Sequence, residues 1–119
     1  MSRLAYDAVL RRSGATTSLA RAARGGLATC ALEAGRAALA VGALDSAVVA
    51  FARAVAIGTP DSVVRMAWLL TGDAWWAAGD TALAAEAYRK ATARGDDANP
   101  VVQRAREQLE RLLGPAPVP

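Results

Sequence analysis

A spaced pattern of small and aromatic residues occurs twice in this chain, with a step of 37 residues from Gly35 to Gly72. Each copy has one glycine, followed by two alanines that flank an aromatic residue. The positions are Gly35, Ala47, Phe51 and Ala54 in the first copy and Gly72, Ala84, Tyr88 and Ala91 in the second. Glycine and alanine permit close approach of two helices, and a ring fills the space between layers. The pattern predicts two similar helical hairpins.

Start and stop signals place the helices around these copies. Glycines are expected to end helices, while Asp or Asn residues and a proline at the first helical position are expected to begin them. Asp61, Asp80 and Asn99 are predicted N-caps, and Gly25-Gly26 is predicted to separate two helices. The five to seven helices predicted in this way cover about 2–12, 17–24, 27–41, 44–57, 62–78, 81–94 and 99–113.

Composition divides the chain into three predicted segments. Residues 1–26 form a basic segment with one or two short helices, 27–113 form the helical domain, and 114–119 form a proline-rich tail. The domain holds hairpins over 27–57 and 61–94 and a last helix over 99–113. Residues 1–36 carry six Arg and two acidic residues, a net +4 within the total of +3. Nucleic-acid binding is disfavoured, because Tyr6 is the only aromatic residue in this basic region.

The second copy also holds Trp68 and Trp75 around Gly72, and the chain resembles the tetratricopeptide repeat, which runs W-x2-L-G-x2-Y, then A-x3-F, then A and P. The first copy departs from this pattern, with alanines where larger residues are usual (Ala31, Ala34 and Ala38). The resemblance covers about 28–94 and reaches 113 if the last helix is a cap. It implies an all-α stack of antiparallel helical hairpins, with about two repeats and a C-terminal capping helix. A closed four- or five-helix bundle is the alternative architecture.

The resemblance also implies a binding surface. In this family the first helix of each hairpin lines a concave groove. Thr29 would face it, together with seven residues expected to contact a partner: Leu32, Arg36, Leu39, Met66, Leu69, Asp73 and Trp76. The clamp that holds terminal carboxylates in some family members is absent, because its places carry Leu or Asp besides one Arg. Trp76 is the expected anchor, although it could instead pack against the N-terminal helices or a second copy of the chain.

The chain lacks residues that several classes of function need. The chain has no His and one Cys, so a zinc cluster and the usual general base at neutral pH are excluded, and Cys30 is expected to be an inert buried thiol. We predict no catalytic residues, no metal and no cofactor, and hence no enzyme. Asp45 interrupts the longest apolar stretch, so no membrane span is expected. The Arg-rich start fits a transit peptide, but GC-rich coding bias explains it as well, and we predict a cytoplasmic protein.

Two functions remain for such a chain. The first is an adaptor that binds a peptide or helix of an unidentified partner protein in a mainly apolar groove. The alternative is a self-assembling scaffold subunit, in which the groove or the N-terminal segment forms a homo-oligomer interface. Residues 1–26 are expected to discriminate between them: folded back as an extra hairpin they favour a monomeric adaptor, and extended they favour an oligomer.

Overall fold

The structure is a computed structural model that describes residues 17–93 and 95–114, with side chains from Leu19 onward. In this part of the chain all regular structure is helical, and there is no strand. The helices are α1 (Thr17–Ala40), α2 (Leu44–Ile57), α3 (Asp61–Ala77), α4 (Thr81–Thr92) and α5 (Pro100–Leu113). The helix predicted over 2–12 and the tail 115–119 lie outside the described residues.

The helices form a stack of hairpins. Helix α1 packs against α2, and α3 against α4; the two hairpins meet through α2 and α3, and α5 packs on α4. Helices α1 and α2 do not contact α4 or α5. In a closed bundle the first hairpin would touch the last helix, so the stack is confirmed and the bundle is not the architecture. Helix α3 contacts both α1 and α5, which places these three helices in one layer and α2 and α4 in the other.

The predicted close approaches occur in both hairpins. A Cβ atom built on Gly35 would lie less than 3.0 Å from the ring of Phe51, and one built on Gly72 less than 3.0 Å from the ring of Tyr88. Both rings are fully buried. Each ring therefore occupies the space that a side chain at the glycine would need.

Each ring is the centre of one core cluster, which the next helix closes. The first cluster joins Phe51 to Leu32 and to Ala67 of α3. The second joins Tyr88 to Leu69 and to Ala105 of α5. Helix α5 thus covers the second hairpin as α3 covers the first. Its predicted start is confirmed, since Asn99 Oδ1 accepts hydrogen bonds from the backbone N–H groups of Val101 and Val102.

The predicted break at Gly25-Gly26 is wrong, because α1 continues through both glycines without interruption. A glycine inside a helix costs only about 1 kcal/mol relative to alanine, so good helix formers on both sides carry the helix through. Tertiary contact also holds this end of α1, since Arg24 Nη2 donates to the carbonyl oxygen of Ile57 at 3.0 Å. The division into 1–26, 27–113 and 114–119 stays a prediction.

The predicted signals for helix starts and ends are confirmed at Asp80 and Gly58 and are wrong at Asp61. Asp80 caps α4 as predicted, with its Oδ1 accepting from the N–H of Leu83 at 3.0 Å. Asp61 is instead the first residue of α3, and Pro60 precedes it at the N-cap position without a side-chain hydrogen bond. Gly58 ends α2 with φ of 79°, in the left-handed region that glycine adopts without strain.

Candidate functional site

The residues expected to face a groove have two different environments. Leu32 and Leu69 are 7% and 3% exposed and belong to the core clusters, so their side chains offer a partner little surface. Leu39 is partly buried against the first cluster, and Met66 packs against both clusters. These residues lie beneath the surface of the predicted groove. Whether they contact a partner stays a prediction.

The polar residues of the predicted set have partners within the chain. Arg36 and Glu33 are both well exposed and pair along α1, with 3.7 Å between Nη1 and Oε1. The Oγ1 of Thr29 donates to the carbonyl oxygen of Gly25 at 2.9 Å. Asp73 does not pair with Arg36, and instead accepts a hydrogen bond from the hydroxyl of Tyr88.

Asp73 lies in a cluster built by three helices. Asp73 and Trp76 come from α3, Tyr88 from α4, and Arg104 and Gln108 from α5; we call these five residues the Asp73 cluster. The ring of Trp76 meets the ring of Tyr88 edge to face, with 6.3 Å between centroids and 77° between planes. Gln108 and Arg104 of α5 also act on the hydroxyl of Tyr88, since both favour its ionised form. Helix α5 therefore contributes to the surface as well as capping the stack.

Sequence reasoning missed the two α5 members of the cluster. Arg104 and Gln108 are four residues apart, so they lie one above the other on one face of α5. The signal was present in this spacing. It was not usable, because α5 carries no repeat pattern that would orient its faces relative to α3.

Burial and the neighbouring carboxylate act together on Tyr88. Burial, the hydrogen bond to Asp73 and the negative charge of Asp73 raise the pKa of Tyr88 far above its ordinary value of 10.0. Gln108 and Arg104 act in the opposite direction, and their effect is smaller. The phenol therefore stays protonated and serves as a hydrogen-bond donor that holds Asp73.

This raised pKa predicts an alkaline loss of stability. The unfolded chain releases the Tyr88 proton as the pH passes about 10 while the folded chain keeps it, so the free energy of unfolding falls by up to about 1.4 kcal/mol per pH unit above that point. We expect the free energy of unfolding of Tyr88→Phe, measured with urea, to lack the part of this fall that comes from Tyr88. Equal slopes for wild type and Tyr88→Phe between about pH 9 and pH 11 would contradict the assignment.

Cys30 differs from its predicted environment. It was expected to be buried, but its side chain is exposed. The reason is local: Cys30 lies beside Ala31 and Ala34, whose small side chains leave an opening between α1 and α2. Among the described residues there is no group of three or more His, Cys, Asp or Glu that could hold a metal ion. No helix in the same part of the chain has the length and apolar character needed to cross a membrane.

The family comparison matches the two-hairpin organisation. The family model described as "Tetratricopeptide repeat" matches residues 2–56 and residues 50–100. The first match covers α1 and most of α2 and begins before α1, and the second covers the end of α2, all of α3 and α4, and the start of α5. Together they span most of the 119 residues. No curated protein and no solved structure matches the chain.

Proposed function

Since this chain belongs to the tetratricopeptide repeat family, we propose that it is a non-catalytic module that binds a peptide or helix of a partner protein on the layer formed by α1, α3 and α5. Repeats of this family generally mediate protein–protein interaction. The proposed contact residues are Arg36, Leu39, Met66, Asp73 and Trp76 from the sequence, joined by Arg104 and Gln108 of α5. Leu32 and Leu69 are proposed to support this surface through the core.

The arrangement beneath Trp76 carries the proposal. Trp76 is partly exposed and rests edge to face on the buried ring of Tyr88. The hydroxyl of Tyr88 is in turn held by Asp73, so the ring beneath the indole is fixed both by burial and by this hydrogen bond. A large amphipathic ring that is already ordered loses little side-chain entropy on binding, which is why such rings are common binding anchors.

The charges beside Trp76 favour a partner segment that is amphipathic. Asp73 lies one turn from Trp76 on α3, and Arg104 is exposed on α5. Met66 and Leu39 add partly exposed apolar surface in the same layer. A helix or extended peptide with an apolar anchor and polar flanks matches this combination, in the manner of the peptide-recognition modes that use a groove between helices.

The direct test is a selection from a displayed peptide library, followed by affinity measurement with the selected peptides. We expect Trp76→Ala to weaken binding at least about tenfold, because a buried aromatic anchor typically contributes about 2 kcal/mol or more. Leu83→Ala is the matched control, since Leu83 is an exposed apolar residue on α4 in the opposite layer. Equal binding by wild type and Trp76→Ala would refute the assignment of the anchor.

Self-assembly is the alternative function, and light scattering over a dilution series separates it from partner binding. A monomer at all concentrations supports the adaptor. A dimer that Trp76→Ala dissociates supports the scaffold instead, because the same surface would then be occupied by a second copy.

A further inference from the structure

Helix α2 carries an exposed stripe that is charged at both ends and apolar in the middle. Asp45, Val49 and Arg53 are four residues apart, so their side chains lie one above the other along the helix. All three are exposed, Val49 to 56%. We call these three residues the α2 stripe. It belongs to the layer of α2 and α4, whereas the proposed binding surface belongs to the layer of α1, α3 and α5.

The equivalent stripe of the second hairpin pairs its own charges. The step of 37 residues places Glu86 where the first hairpin has Val49, and Lys90 where it has Arg53. Oε1 of Glu86 lies 3.5 Å from Nζ of Lys90, and the same Nζ lies 4.6 Å from the centroid of the Trp68 ring. The first hairpin offers neither partner, because a valine replaces the glutamate and an alanine replaces the tryptophan.

The charges of the α2 stripe therefore have no partner in their own hairpin. Within the part of the chain that the structure describes, no ion pair involves Asp45 or Arg53. The two residues are about 12 Å apart along the helix axis, too far to pair with each other. Two unpaired charges on either side of an exposed apolar residue are features of a surface that makes an intermolecular contact.

The order of the α2 stripe is self-complementary. Asp45 and Arg53 each lie about 6 Å from Val49 along the helix. When two α2 helices cross antiparallel about a two-fold axis at Val49, Asp45 of each copy meets Arg53 of the other. We propose that a second copy of this chain docks on the α2 stripe through this two-fold contact. The contact forms two ion pairs and brings the two valines together at its centre.

A hollow beside the α2 stripe allows the two copies to approach closely. It encloses a cavity of about 410 Å³ between α1 and α2. Its lining outside the stripe consists of small residues, which are Ala34, Ala38, Ser46 and Ala50. Small side chains permit close packing of a neighbouring helix. The exposed valine of one copy can enter the hollow of the other, so the contact buries apolar surface as well as pairing charges.

Charge reversal tests the proposed pairing. Asp45→Arg places like charges opposite each other at both ends of a two-fold contact, so we expect it to weaken self-association at least about tenfold. Light scattering from about 5 to about 500 μM measures this change. Arg53→Asp should have the same effect. The double variant Asp45→Arg/Arg53→Asp restores both pairs and should dimerise within about threefold of wild type, which a misfolded chain would not do.

Arg89→Asp is the control for this experiment. It makes the same change of charge on an exposed residue of α4, outside the α2 stripe, and should leave self-association unchanged. Trp76→Ala should also leave the dimer intact, because Trp76 is on α3 in the other layer. This separates the proposed contact from self-assembly through the partner-binding surface.

Cysteine trapping tests the position of the two-fold axis. In a Cys30→Ser background, the Val49→Cys variant places two identical thiols at the axis, where they can meet the Cβ–Cβ distance of about 4 Å that a disulfide requires. We expect oxidation to convert this variant into a covalent dimer. Glu86→Cys, which makes the substitution at the equivalent place of the second hairpin, should stay monomeric.

Three results would overturn the proposal. The first is a wild type that stays monomeric throughout the dilution series, which would leave the stripe to another protein or another segment of the chain. The second is a dimer that Trp76→Ala dissociates, and the third is a double variant that fails to restore the dimer. None of them decides whether a peptide binds near Trp76, so the dimer contact and the proposed function can fail independently.

Discussion

Replacement of Phe51 by alanine is expected to lower the free energy of unfolding by about 4 kcal/mol, within the range of about 3–5 kcal/mol for buried aromatic residues. The ring of Phe51 is fully buried and joins α1, α2 and α3 in the first core cluster. Its neighbours Ala47, Ala54 and Ala67 are too small to move into the space that the ring leaves. The resulting cavity adds to the lost transfer free energy, and urea unfolding measures the sum.

Val49→Ala is the control for this change. Val49 lies on the same helix as Phe51 but is 56% exposed, so its truncation should alter the free energy of unfolding by no more than about 0.5 kcal/mol. A loss below about 1 kcal/mol for Phe51→Ala would show that the first hairpin collapses around the missing ring. The two hairpins would then be less dependent on each other than the shared cluster indicates.

The second large effect is expected from adding a single methyl group at Gly72. Its Cβ would lie less than 3.0 Å from the ring of Tyr88, which is buried and held by Asp73 and therefore cannot move away without loss. Overpacking of this kind costs about 1–3 kcal/mol, occasionally more, and the higher helix propensity of alanine returns up to about 1 kcal/mol. We expect Gly72→Ala to lower the free energy of unfolding by about 2 kcal/mol.

The same substitution at Gly25 should have the opposite sign. A Cβ there would lie 3.7 Å from Cδ of Pro60, which is an ordinary contact, and Gly25 is within α1. Alanine at this position should therefore raise the free energy of unfolding by about 0.5–1 kcal/mol. If both substitutions stabilised the protein, the close approach of α3 and α4 at Tyr88 would be refuted.

The steric core of each hairpin could be predicted from sequence. A glycine and an aromatic residue 16 positions later recur as Gly35 with Phe51 and Gly72 with Tyr88. In each pair the aromatic residue depends on the glycine, because the ring needs the space that only a residue without a side chain leaves. This steric requirement depends only on the identity of the two residues and on their spacing, and the sequence shows all of these.

The surface was harder to predict, because it depends on how much volume the neighbours supply. Leu32 and Leu69 occupy positions that the resemblance predicts to face a groove, yet their side chains are buried. In the first cluster most other buried members are alanines, so Leu32 fills the core. Cys30 is exposed for the same reason: the residues beside it are too small to cover it. An alanine-rich core thus changes which positions remain available to a partner.

Arg104 and Gln108 could not be placed from the sequence for a different reason. Their position beside Tyr88 follows from the packing of α5 on α4, and α5 lies outside the repeated pattern. Helix boundaries alone do not determine the rotation of a helix about its axis. The charged residues of α5, which are Arg104, Arg106, Glu107, Glu110 and Arg111, indicate that one face meets solvent, but they do not indicate which helix the other face meets.

Tyr88 has a consequence for how binding and folding are linked. Its ring fills the interior of the second hairpin beside Gly72, and the same ring is in edge-to-face contact with the indole of Trp76. Any loosening of that hairpin therefore also releases the indole from the position that a partner would recognise. A ligand that holds Trp76 in place must, by the same thermodynamic linkage, make the hairpin harder to open. The proposed binding surface and the repeat beneath it would then respond to a partner as one cooperative unit.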